Sequence, residues 1–302
     1  MTLKLETRAQ LACLYSGAVW GLYWIPLRAM ESAGMHNLWI TSVYFMVPAL
    51  FVLPIFLWRW RSIRAGGLDL QITVMASGIA LTFYSASIVY TDVVRALVLF
   101  YTMPVWSAFL ARIFLGESIT LPRILAMVIA IVGMLVLFGL GIHFPIPQNI
   151  GDWMGLCAGF FWAVTMVRLR RDAMPSSLDL TIGFFFWGLV FSAATAMLLA
   201  RSELPSLDQV SSVLPMLALF MVLLVLPGTY TSLWGPKYLN PGIAGMLFMT
   251  EIVVGAISAA LLTGEPFGIR EIIGVIMIGG ASMIEPILTL SRKRNAAKFP
   301  VT

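Results

Sequence analysis

Apolar residues along this chain come in long runs parted by short polar breaks, from the first residues to the last. Ten such runs fall near 11–29, 37–58, 70–89, 93–115, 121–142, 152–167, 178–200, 212–234, 241–263 and 271–290. A helix that crosses a bilayer needs about 20 mostly apolar residues, and each run approaches that length. The sixth is short unless Arg168 extends its guanidinium toward the interface. The connections are brief and only 1–8 and 291–302 are free tails, so the pattern predicts one transmembrane bundle and no soluble domain. The first run follows Lys4 and Arg8, like the n-region of a signal peptide. It is long, keeps Pro26 and Arg28 at its end and lacks an A-x-A site, so it is read as a retained first helix.

Composition agrees: 60% of the residues are hydrophobic and 11% are charged, where a soluble domain has about a quarter charged. The net charge of +5 would suit a nucleic-acid partner, but its distribution argues for a membrane instead. With the N-terminus inside and ten crossings, 15 of the 19 Lys and Arg residues fall on inner segments. Only Arg28, Arg95, Arg201 and Arg270 fall outside. That positive-inside bias predicts a multi-pass protein of the bacterial inner membrane with both termini cytoplasmic. The basic stretch Arg292–Arg294 reads as a topology anchor near anionic lipid, with no nucleic acid bound. Cys13 and Cys157 lie inside apolar spans, where small buried residues are expected and a disulfide is not.

The chain also repeats. Residues 90–124 slid onto 238–272 give 11 identities in 35 positions, among them Phe100/Phe248, Thr102/Thr250, Gly116/Gly264 and Glu117/Glu265. At an offset of 142, Gly17, Trp20, Leu27 and Arg28 match Gly159, Trp162, Leu169 and Arg170. Five spans per copy is odd, so the second copy enters the membrane upside down. The expected fold is therefore all-α, with ten transmembrane helices as two inverted five-helix repeats, 1–145 and 146–302, around a central cavity. Such repeats are typical of secondary transporters.

The stretch from Tyr101 through Pro104 to Leu115-Gly116-Glu117 resembles the helix-4 signature of the drug/metabolite transporter superfamily, in its ten-helix EamA branch. The second copy departs from it, with Ile252 in place of Pro and Thr263 before Gly264-Glu265. The Trp- and Tyr-rich early spans are most similar to the YddG-type exporters of aromatic and other neutral amino acids. The resemblance implies a monomeric bundle with a large central cavity that works by alternating access. It implies a small-molecule substrate, an amino acid or amphipathic metabolite, with protons as a candidate coupling ion.

A carrier of neutral amino acids needs an apolar, partly aromatic cavity and a few polar groups for the zwitterion. Trp20 and Trp24 lie four apart on one helix face, and Trp162 and Met166 hold the matching positions in the second copy. Rings and thioethers offer large, adaptable contact surface. Tyr84, Tyr101, Met103 and Phe248 are further candidates for the lining. Helix packing is the competing reading for each. Glu251 is the one acid deep within an apolar run, where burial is costly unless it faces a cavity or a partner. It either meets a substrate ammonium, carries a coupling proton, or is a structural acid. Pro104 and the pair Pro227-Gly228 predict kinks and candidate hinges. Glu117 and Glu265 end their spans after Gly and are read as capping or gating groups. Arg95 is expected to pair with Asp92, and the series Gly151, Gly155, Gly159 to permit close helix contact.

Other classes find little support. His36 and His143 lie near loops and the acids are scattered, so no metal site, cofactor site, phosphate loop or nucleophile–base pair emerges, and the chain is not read as an enzyme. Polar rings of a channel filter are not visible either. Within transporters, lipophilic compounds and other small metabolites remain alternatives to amino acids.

Overall fold

The computed structural model describes residues 4–139, 146–171, 175–263 and 267–298. Among them there are helices and no strand. The helices run in chain order as α1 (Leu5–Trp20), α2 (Trp24–Ser32), α3 (Asn37–Ala65), α4 (Gly67–Tyr90), α5 (Val93–Phe100), α6 (Met103–Leu115) and α7 (Leu121–Leu137). Then follow α8 (Ile150–Arg171), α9 (Ser177–Leu199), α10 (Leu207–Phe220), α11 (Leu226–Trp234), α12 (Pro241–Phe248), α13 (Thr250–Thr263) and α14 (Ile269–Lys298). Helices dominate because lipid offers no partner to a backbone N–H or C=O, so each segment must satisfy its own.

Joined across their breaks, these pieces make ten rods that follow the ten apolar runs: α1–α2, α5–α6, α10–α11 and α12–α13 are interrupted, the other six continuous. Three interruptions have one cause. Proline lacks an N–H and its ring crowds the carbonyl four residues earlier. Pro26 thus disturbs Leu22, inside the turn that parts α1 from α2. Pro104 disturbs Phe100, where α5 ends, and Pro227 disturbs Leu223, inside the π-helical stretch Met221–Val225. The fourth break, at Met249, has no such proline.

Among the described residues, seven of the helical spans are long and apolar enough to cross a membrane by themselves: Asn37–Ala65, Gly67–Tyr90, Val93–Leu115, Ile150–Arg171, Ser177–Leu199, Leu207–Tyr238 and Pro241–Thr263. Two of the other runs differ for visible reasons. The first is cut in two at Gly21–Tyr23, and α7 has 17 residues.

Contacts sort the helix ends onto two faces. On one, the start of α1 packs on Gly235, where a Cβ would lie 2.6 Å from Cys13 Sγ, and the ends of α3 and α8 pair with the starts of α9 and α4. This is the face at which the described chain begins and α14 ends, called here the terminal face. On the far face, Trp39 at the start of α3 donates to Ala200 O at 2.8 Å, and Gly151 packs on Tyr90 and Thr91. Thus α1 starts on the terminal face and α8 on the far one.

Small residues set the crossings. A Cβ on Gly159 would overlap Phe100 O, one on Gly155 would stand 3.2 Å from Ala96 O, and one on Gly245 would stand 3.1 Å from Pro104 Cα. The glycine series on α8 is a packing surface for α4 and α5, which lets backbones approach where lipid gives no hydrophobic drive.

Candidate functional site

The breaks place helix ends at mid-bundle, and the side chains around them enclose a cavity. Its wide part, about 600 Å³, is lined by Trp20, Tyr23, Trp24, Ile40, Thr41, Tyr84, Ser85, Tyr101 and Glu251. It reaches the surface on the far face between Arg28, Glu31, Asn37 and Val93, all exposed. Its narrow inner end lies among Ser16, Leu81, Phe100, Met103, Trp162, Ser232 and Phe248 and shares Trp20, Tyr23, Tyr84 and Glu251 with the wide part. That size falls in the range of small-molecule sites, about 300–1,000 Å³.

The walls are aromatic. Trp20 meets Tyr23 at 5.6 Å between ring centroids and Phe184 at 6.3 Å edge-on. Trp162 continues the belt to Phe184 and to Phe248, both at 6.4 Å. Opposite stand Tyr84 and Phe100 at 4.6 Å, with Tyr101 at 5.1 Å beyond. Tilted and edge-to-face pairs hold one another in place and leave ring faces for a ligand.

Glu251 owes its position to the break at Met249. The break makes Thr250 the start of α13, so Glu251 lies in a first turn at mid-bundle. The dipole of a helix start favours a carboxylate there, which offsets part of the cost of placing an acid in an apolar span. The residue is half-buried, and the Tyr101 hydroxyl faces its carboxylate. Close backbone packing fixes it to α1: a Cβ on Gly21 would stand 2.6 Å from Glu251 O, and Gly17 abuts Thr250.

Several lining side chains have polar atoms that are buried without a hydrogen-bond partner: Ser16 Oγ, Trp20 Nε1, Tyr23 Oη, Ser85 Oγ and Tyr101 Oη.

Toward the terminal face the helices close and polar groups lock them. Arg170 Nε is 3.2 Å from Glu117 Oε1 and its Nη1 donates to Lys237 O at 3.1 Å. Asn240, which caps α12 by accepting from Gly242 N at 2.9 Å, donates to Glu117 Oε2. Beside them the buried Lys237 donates from Nζ to Pro175 O. Arg59 binds Asp179 with two nitrogens, while Ser62 donates to the same carboxylate at 2.7 Å, and Arg168 lies 3.0 Å from Asp69. The cavity is thus open to the far face and shut from the terminal face.

Of the side chains expected from the sequence, Trp20, Tyr84, Met103, Trp162, Phe248 and Glu251 meet at the inner end, and Trp24 and Tyr101 join in the wide part. Trp24 also donates from Nε1 to Ser258 Oγ at 3.0 Å. Met166 is not brought into the lining; it is 1% exposed and packs in the core one turn below Trp162. Pro104 and Pro227 stand in the first turns of α6 and α11 rather than in helix middles, and Gly228 serves close contact, since its Cβ would lie 2.7 Å from Val19 Cγ1. Glu117 pairs across the terminal face, whereas Glu265 lies outside the described residues. Arg95 pairs with Asp152, not with Asp92: the buried Asp152 also accepts from Thr91 at 2.6 Å and Gln148 N at 2.9 Å, so it is the better-prepared carboxylate. Tyr23 and Ser16 were missed, though Tyr23 follows Trp20 by three residues, the spacing of one helix face.

The family model of EamA-like transporters matches residues 7–139 and again residues 149–284. The chain belongs to the EamA-like transporter family. A relative from Clostridium kluyveri, described as an uncharacterized transporter, is 21% identical over 281 residues, covering 88% of this chain and 87% of its own. A solved structure titled as the crystal structure of a protein is similar in fold, with a TM-score of 0.76 at 18% identity, covering 93% of this chain and 97% of that one. This EamA-like chain is therefore a membrane transporter.

Proposed function

We propose that this transporter exports small amphipathic solutes bearing an amino group, neutral and aromatic amino acids foremost, across the inner membrane by alternating access. The observation that carries the reading is Glu251, an acid at a mid-bundle helix start, enclosed by Trp20, Tyr84, Tyr101 and Trp162. A carboxylate attracts the ammonium group, ring faces stabilise the same charge, and the apolar belt takes the side chain. Glu251 also serves as the site where a coupling proton exchanges with the solute. A cavity of about 600 Å³ admits drug-sized compounds too, so lipophilic amines are the second reading.

Alternating access draws support from three features. The family model matches twice, the breaks at Tyr101–Thr102 and Met249 fall in equivalent register under the 148-residue offset, and the second copy starts on the face opposite the first. Halves 1–145 and 146–302 related by inversion exchange an open far face for an open terminal face, and the bias of basic residues supports a cytoplasmic terminal face.

The test is counterflow of labelled Phe, Trp, Met and Thr in proteoliposomes, with and without a pH gradient, for the wild type and Glu251→Gln. Uptake of at least one of the four is expected, with a fall of about tenfold or more in the variant and loss of its response to the gradient. Failure to carry any of them removes the amino-acid reading. Unchanged, pH-responsive transport by the variant removes both roles of Glu251.

A further inference from the structure

The polar lock on the terminal face has a counterpart in the sequence of the far face. In that lock Arg170, near the end of α8, stands 3.2 Å from Glu117 and donates to Lys237 O at 3.1 Å, while Asn240 at the head of α12 donates to Glu117. The 142-residue offset sets Arg28 at the position of Arg170. The 148-residue offset sets Val89 and Asp92 at those of Lys237 and Asn240. The backbone keeps the same register: α5 and α12 have eight residues each, begin 148 apart and end on the matched Phe100 and Phe248. Their caps take nearly one conformation, Asp92 with φ −60° and ψ 136°, Asn240 with φ −60° and ψ 133°.

These counterparts gather at the open mouth. Arg28 of α2 and Val93 of α5 border it, and Val89 of α4 belongs to the same lining. Arg28 and Asp92 are both exposed. Asp92 makes no side-chain bond to the start of its own helix, whereas Asn240 accepts from Gly242 N at 2.9 Å. Arg95, the nearest cation along the chain, spends its guanidinium on Asp152 and Ile146 O. The two faces differ in one respect. The terminal cap is a neutral amide and Glu117 supplies the charge, whereas the far cap is itself an acid that an arginine can meet directly.

We propose that Arg28 and Asp92 form the far-face latch of this transporter: when the far mouth shuts, the Arg28 guanidinium pairs with the Asp92 carboxylate and donates to Val89 O. It then does what Arg170 does with Glu117 and Lys237 O while the terminal face is shut. The assignment rests on the alternating access proposed above and names the residues that close the second gate. The planar fork of a guanidinium can hold a carboxylate and a carbonyl at once. A latch made in one conformer and broken in the other gives each state its own stabilising contacts, which is what a shift between two conformers requires. An ion pair formed between exposed side chains is worth about 1 kcal/mol or less, weak enough to be broken in every cycle.

The test needs no solute and uses the full-length protein in liposomes, with Cys13→Ala and Cys157→Ala as background. Under mild oxidation, Arg28→Cys with Asp92→Cys is expected to form a disulfide at least about tenfold faster than Glu31→Cys with Asp92→Cys, because only the first pair meets when the mouth shuts. The second measurement follows spin labels at Arg64 and Ser118 in Glu117→Gln, which unlocks the terminal face. Adding Arg28→Asp or Asp92→Arg turns attraction into repulsion and is expected to lower the terminal-open population about tenfold; both together are expected to restore it to within about twofold. Equal cross-linking of the two cysteine pairs overturns the latch. So do single reversals without effect, or a double reversal that restores nothing. If neither pair cross-links and no terminal-open population appears, alternating access itself is lost and the latch with it.

Discussion

Glu117 ties three elements together at the terminal face, and its neutralisation should release them. Its carboxylate meets Arg170 at 3.2 Å and takes a hydrogen bond from Asn240, the cap of α12, while Arg170 holds Lys237 O at 3.1 Å. The Arg170 and Glu117 side chains are 38% and 22% exposed, so water screens the pair and its full charge-assisted strength does not apply. Discounted in this way, the ion pair contributes about 1 kcal/mol, and the weaker acceptor offered to Asn240 by a neutral amide adds about 0.5 kcal/mol. The sum, about 1.5 kcal/mol, corresponds to roughly a tenfold change in an equilibrium between two conformers. Glu117→Gln should therefore shift the population about tenfold toward a state open at the terminal face, provided the latch exists only when that face is shut. Spin labels at Arg64 and Ser118, in a background of Cys13→Ala and Cys157→Ala, report the terminal face. Labels at Asn37 and Val93 report the far mouth. The expected result is a new longer distance in the first pair and a shorter one in the second. Unchanged distributions in both pairs would show that Glu117 does not hold the closed face. Widening at the far mouth would contradict the direction of coupling.

Three further outcomes follow from packing and charge. Gly159→Ala forces a methyl group into Phe100 O, backbone against backbone, so thermal unfolding in detergent should show a loss of about 1–3 kcal/mol; a melting curve like that of the wild type would mean that the crossing of α8 and α5 is looser than described. Asp152→Asn leaves the Arg95 guanidinium without its buried counter-charge and should cost about 3 kcal/mol by the same measurement, the lower part of the range for a broken buried pair because Arg95 is 21% exposed. Met166→Leu conserves volume away from the cavity and should leave Phe affinity unchanged, whereas Met103→Ala enlarges the inner end and should weaken it several-fold; calorimetric titration separates the two, and equal effects would mean that the lining is misassigned.

Much of this architecture was legible before folding, and the reasons can be traced residue by residue. Runs of apolar residues announce helices in lipid because the backbone has no other way to meet its hydrogen bonds. Pro104 and Pro227 announced breaks because the missing N–H is a local property, readable without knowing any neighbour. Glu251 stood out for the cost of its own charge. Glu117 stood out through its repeat-mate, though its partners Arg170 and Asn240 are 53 and 123 residues away in the chain.

Other features were decided in three dimensions. The break at Met249 has no proline to announce it, yet it is what puts Glu251 at a helix start. Met166 matches Trp24 in the repeat, but α8 runs unbroken where α1 turns into α2, so the equivalent position points into the core. Arg95 had Asp92 three residues away and chose Asp152, because burial and two other donors, Thr91 and Gln148 N, make that carboxylate the better partner. The chain by itself determined that the fold is helical throughout the described residues and which acid is out of place, since each of these is settled within a few residues. Which side chains share the cavity and which face is shut depend on helices far apart in sequence, whose approach is set by glycines and by the packing they permit.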